Sequence, residues 1–153
     1  MNDEPLRTLE EMVFASFGPL CQKAGLTHVG SLISRSQCLI TFEGSVSGLA
    51  VYFEPGTGVW VQVGRVHKEP GDRRRREFYD LSFFLDERAP SDERPPGFVS
   101  VHDSGVRTAI EDLARKTSAY AMDVLNGDFA ILPKIRARAE ENLRITEARL
   151  YRH

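Results

Sequence analysis

The chain is poor in the residues that usually announce chemistry. It has two cysteines, Cys21 and Cys38, with no motif spacing between them. That excludes a disulfide framework or a cysteine-rich metal site and leaves two buried, reduced thiols as the expectation. Of the four histidines, His28, His67, His102 and His153, no pair has a helical ligand spacing such as H-E-x-x-H. No G-x-S-x-G elbow and no G-x-x-x-x-G-K-[ST] loop occurs. Ser100, His102, Asp103 and Ser104 are the residue types of a triad, but neighbours in sequence cannot build one. Asp103 reads instead as a helix cap beside an exposed His102. Paired carboxylates such as Glu10-Glu11, Glu111-Asp112 and Glu140-Glu141 fall on charged helix faces, where solvation accounts for them. The expectation is no catalytic residue, no metal, no cofactor and no enzymatic activity.

Long apolar runs are also missing; none approaches the roughly 20 residues that span a bilayer. The opening Met1-Asn2-Asp3-Glu4 is acidic where a signal peptide is basic and then apolar. Both point to a cytoplasmic protein without a membrane partner. Lysine is scarce, four against sixteen arginines, as expected from a GC-rich bacterial genome. A net charge of −2 argues against a general nucleic-acid binder. What is present suffices for a core: 41 % of 153 residues are hydrophobic, which suits one α+β domain over residues 1–153.

Leu6, Leu9, Val13, Phe17, Leu20 and Ala24 recur at steps of three and four, so residues 5–24 read as a helix. Gly25 suits the position past its end, and Gly18-Pro19 is expected to kink or divide it. The period then changes to two, and strands are expected at about 28–34, 37–43, 48–54 and 59–66. A three-residue loop, Gly56-Thr57-Gly58, would pair Phe53 with Val61 and Val51 with Val63, leaving the aliphatic residues on one face. An even loop at residues 45–48 adds Cys38, Ile40 and Phe42 to that face. The other face then carries Leu39, Thr41, Glu43, Tyr52, Glu54, Trp60 and Gln62, with Tyr52 across from Gln62 and Trp60 across from Glu54. Residues 68–76 read as a polar connection. Asp80 is expected to cap a short helix that faces the core with Leu81, Phe84 and Leu85, and residues 86–97 read as an exposed loop anchored by Phe98, Val99 and Val101. A strong helix runs from an Asp103 or Ser104 cap to Asn126, ended by Gly127. A last, highly charged helix to about Tyr151 should lie across the body on a thin stripe of Ile135, Ala139, Leu143 and Leu150. The fold expected is therefore an antiparallel sheet of about four strands, with an N-terminal helix and C-terminal helices packed on it.

Two surface features remain. Arg73, Arg74, Arg75 and Arg76, near Arg65 and Lys68, would suit phosphates. Acidic neighbours and the lack of interleaved aromatics make a mobile, solvated loop the simpler reading. The second feature is the non-aliphatic sheet face. Tyr52 and Trp60 with Glu43, Glu54 and Gln62 have the composition of a protein-binding hot spot, unless a helix covers them. Glu43 and Glu54 favour an open face, because buried carboxylates are costly unless paired.

The order of pieces resembles small bacterial proteins regarded as immunity-like. It runs from a helix ending at Ala24-Gly25, through the strands 49–54 and 59–64, to Phe78-Tyr79-Asp80-Leu81 through Leu85. Leu125-Asn126-Gly127-Asp128-Phe129 follows within the terminal helices. Such proteins are thought to neutralise toxins by binding them. The resemblance implies a non-enzymatic binding module, an immunity or inhibitor protein whose partner is a toxin or defence component encoded nearby. It brings no binding residues, and residues 86–97 have no counterpart in it. The alternative is a nucleic-acid-associated accessory factor that uses the arginine run and the basic last helix.

Overall fold

A computed structural model describes residues 4–34, 37–55, 58–66, 76–93 and 105–150. The elements are α1 (Glu4–Ala24), β1 (Thr27–Ile33), β2 (Cys38–Glu43), β3 (Ser47–Glu54), β4 (Gly58–Val66), β5 (Arg76–Asp80) and α2 (Leu81–Arg88). A 3-10 turn (Ser91–Glu93), α3 (Val106–Tyr120), α4 (Met122–Leu125) and α5 (Leu132–Leu150) complete them. The strands pair in chain order as one five-stranded sheet, antiparallel throughout. Strand alternation places Cys38, Ile40, Phe42, Leu49, Val51, Val59, Val61 and Val63 on one face, and all are buried in a single core cluster. All five helices contribute to that cluster, so the helical layer lies on the aliphatic face.

The expected α+β architecture is present, with one strand more than alternation suggested. The sequence pattern assigns residues 76–80 to the end of a polar connection and the start of a helix. In β5, Phe78 and Asp80 point to one side and Glu77 and Tyr79 to the other. Each side mixes polar with aromatic, and no apolar period marks the strand. Asp80 does cap α2, its Oδ1 accepting from the Ser82 amide at 2.8 Å, and Leu81, Phe84 and Leu85 are buried. That helix runs on to Arg88, so the first residues of the expected loop are helical.

The β3–β4 register differs from the expected one by two residues. Phe53 pairs with Val59, Val51 with Val61 and Leu49 with Val63, and the ladder closes at Glu54–Gly58. A shift of two preserves the side on which every residue points, so the faces are as expected while the neighbours change. Tyr52 lies across from Trp60 rather than Gln62, and Trp60 no longer faces Glu54. Two things favour this register. Pro55, which has no N–H to give a ladder, leaves the pairing for the turn, and two aromatics become direct cross-strand partners.

α1 runs through Pro19 unbroken. Pro19 and Ala15, whose carbonyl loses its usual partner, are both exposed, so water is available to that acceptor. The helix ends as expected: Gly25 has φ +76, its amide bonds Gln22 O, and the Leu26 amide bonds Cys21 O. The same double closure at Gly127 (φ +95) ends α4. Between α3 and α4 the expected continuous helix is broken at Ala121, which has φ −131 and ψ 9 and is fully buried. The break directs Val124 and Leu125 into the core, where the Ser47 hydroxyl donates to Leu125 O at 2.5 Å. The Asp103 and Ser104 caps and the Phe98–Val99–Val101 anchor lie outside the described residues.

α5 does not lie across the body. Only Leu132 and Ile135 are buried, and every residue from Glu140 to Leu150 is exposed, including Leu143 at 59 % and Leu150 at 70 %. The helix passes the edge of the core and its last turns project. Among the described residues, no helix is long and apolar enough to cross a membrane.

Candidate partner-binding face

Opposite the helices, three cross-strand rows make up the second face of the sheet. Leu32, Leu39, Tyr52 and Trp60 are successive partners across β1 to β4. The next row is Gly30, Thr41, Ala50, Gln62 and Asp80, and the third is Thr27, Glu43, Gly48, Gly64 and Phe78. Large side chains are therefore concentrated in the first row, while the middle row is mostly small, with Thr41 and Ala50 buried between their neighbours. Tyr52 and Trp60 stack with ring centroids 5.4 Å apart and planes within 2° of parallel. Both are half-buried, and among the described residues no helix packs over them. Such a pair is a rigid apolar plate with polar tips, the composition enriched at the centres of protein interfaces.

The polar residues expected around the plate are dispersed unequally. Glu54 lies two positions from Tyr52 along β3, at the hairpin end, and is half-buried. Gln62 lies two positions from Trp60, between Ala50 and Asp80. Glu43 is a row further away and engaged: its Oε1 accepts from Arg76 Nε at 2.5 Å. The Arg76 guanidinium in turn sits 5.8 Å from the centre of the Phe78 ring, and that ring lies over Gly48. Glu43, Arg76 and Phe78 thus form one border of the face. Since Glu43 is paired, its charge no longer argues for an open surface, and Glu54 alone carries that reasoning. Leu32 was not anticipated: a bulge between His28 and Gly30 interrupts the alternation that would have assigned it. Phe78 and Asp80 were missed with β5.

The arginine run is not a unit in the described structure. Arg76 begins β5 and belongs to the sheet face, in place of the mobile connection expected. Arg65 points to the helical side, 5.4 Å from the centre of the Phe129 ring. Arg73, Arg74 and Arg75 lie outside the described residues, as do His67, His102 and His153. In the last helix, Arg136 donates to Glu77 (2.6 Å) and Tyr79, Arg138 pairs with Glu87, and Arg144 with Glu141. Most of its basic charge is locally matched.

Chemistry is hard to place elsewhere. Burial pushes the Cys21 thiol up to about 12, and burial with the nearby Glu10 charge pushes Cys38 to about 11. Neither is a thiolate nucleophile at neutral pH. His28 packs its ring edge-on to Phe14 (4.9 Å) and near Phe42, and shares a 2.8 Å hydrogen bond with Ser31 Oγ. Among the described residues, no three His, Cys, Asp or Glu side chains could hold a metal ion. An open groove of about 520 Å³ runs between α2 and α5, lined by Phe83, Asp86, Glu87, Lys134, Arg138 and Ile145. Its Glu87 is held below the usual carboxylate range by the Arg138 hydrogen bond, which makes it a solvated ion pair rather than a proton donor. Comparison with protein-family models, curated proteins and solved structures found no match for this chain.

Proposed function

We propose that the protein is a non-enzymatic binding module that acts by occluding a protein partner, in the manner of an immunity or inhibitor protein. The observation that carries this is the stacked Tyr52–Trp60 pair, set on the sheet face away from the helical layer and half-buried. A partner that covered the plate would desolvate it, with Glu54 and Gln62 supplying a polar rim. Leu39 and Leu32 extend the apolar row toward β1.

The nucleic-acid alternative gains less support, since Arg76, Arg136, Arg138 and Arg144 are each matched to a carboxylate. The test uses immobilised full-length chain and extract of the native host, with Trp60→Ala as control. A protein retained by the wild type and lost from a folded Trp60→Ala chain, with affinity lower by at least about 30-fold, supports the proposal; that loss is about 2 kcal/mol. Equal retention of every captured protein by both chains overturns it. Salt-dependent retention of nucleic acid instead favours the alternative.

A further inference from the structure

We propose that β1 is the seat of a weak two-fold self-association, in which residues 30–32 of two copies pair antiparallel about Ser31 and join their sheets. The two edges of the sheet differ. β5 is flanked by α5, whose Arg136 reaches both Glu77 and Tyr79. The β1 edge is touched by α1, where Phe14 meets the His28 ring edge-on at 4.9 Å. All seven of its residues are exposed, with Val29 at 50 %, Leu32 at 68 % and Ile33 at 38 %. Edge strands usually discourage pairing with lysine, proline, inward charge or a bulge. Thr27–Ile33 has no lysine, proline, aspartate, glutamate or arginine, and its bulge falls at Val29. Residues 30–33 are left regular and uncharged, with Ser31 their one polar side chain.

The outward N–H and C=O groups of such a strand can exchange water for the backbone of another strand, and β1 supplies its own complement. A two-fold axis through Ser31, perpendicular to the sheet, sets Leu32 of one copy opposite Gly30 of the other. The large side chain then has no side chain to clash with, and no like charges meet. The same axis keeps both helical layers on one side and brings each Leu32–Leu39–Tyr52–Trp60 row to the joint. Three paired residues per copy bury well under the roughly 800 Å² per partner of a standard interface, so the association is concentration-dependent rather than permanent. It is independent of the protein partner proposed above.

Sedimentation equilibrium of the full chain up to millimolar concentration, with hydrogen exchange at matching concentrations, tests this. The average mass should rise from monomer toward dimer, and amides within residues 30–32 should slow as it does. Leu32→Lys, an exposed substitution, should keep the chain monomeric with its melting temperature unchanged. A monomer at every concentration overturns the proposal. So does a dimer that leaves residues 30–32 unprotected, or one that persists undiminished in Leu32→Lys.

Discussion

Val61 and Trp60 are adjacent in β4 and point to opposite faces, so they report on the two sides of the sheet separately. Val61 is 1 % exposed and surrounded by core aliphatics. Val61→Asp places a carboxylate there with no partner, and loss of cooperative thermal unfolding is the expected outcome, seen by circular dichroism. A soluble variant melting with the wild type would contradict the assignment of faces. Trp60→Ala removes a half-buried ring from a stack, and should cost about 1–3 kcal/mol, below the ~3–5 typical of a fully buried tryptophan. Chemical denaturation of both chains measures it. Asp80 offers a test by pH. Burial raises its carboxyl above the ordinary value despite the opposing Ser82 hydrogen bonds. A raised folded-state value means that the group's favourable contribution is complete below the ordinary aspartate range and is lost as pH rises through the raised value. Asp80→Asn keeps an oxygen for the Ser82 amide without the buried charge, and asparagine caps about as well as aspartate. The variant should therefore match or exceed wild-type stability at pH ~7, and its advantage should vanish near pH ~3. A variant clearly less stable at neutral pH would show that the charge itself supports α2.

Elements with one apolar stripe and clear end signals were legible in the sequence. α1 with Gly25, α2 with its Asp80 cap, and β2 to β4 all occupy their expected stretches, because period and punctuation agree there. The elements that were misjudged lack one of those signals. β5 has no alternation, the break at Ala121 has no glycine or proline to mark it, and the β3–β4 register has two solutions of equal parity. The candidate site shares this limit. Parity sufficed to put Tyr52 and Trp60 on one face, but only the pairing shows that they stack, and only β5 brings Arg76 to Glu43. In α5 a repeating stripe was mistaken for a buried one: Leu143 and Leu150 continue the spacing of Ile135 after the core has ended. The two halves of that helix should respond oppositely to change. Ile135→Ala should cost about 2–5 kcal/mol, since its side chain is fully buried. Removal of the chain from residue 141 onward should shift the melting temperature by no more than a few degrees. A large loss of stability on truncation would mean that the projecting turns are packed after all.

For the whole molecule, the arrangement is a sheet with one face packed by helices and the other carrying the Tyr52–Trp60 stack, the proposed contact face. Helices from both ends of the chain converge on the aliphatic face, and ion pairs fasten them at the rim. Arg88, for instance, spans α2 to α4 through both Asp123 oxygens and the Tyr120 carbonyl at the helix break. Arg136 and Arg138 of α5 make similar ties, to Glu77 of β5 and Glu87 of α2. The opposite face holds the single tryptophan of the chain, which makes its environment directly readable. Acrylamide quenching of Trp60 fluorescence in the isolated full-length protein is the most direct test of a contact face. A half-buried Trp60 on an open face should give a partly red-shifted emission with a quenching constant intermediate between free indole and a core residue. A blue-shifted emission that acrylamide leaves unquenched would place Trp60 in the interior and contradict the proposed contact face.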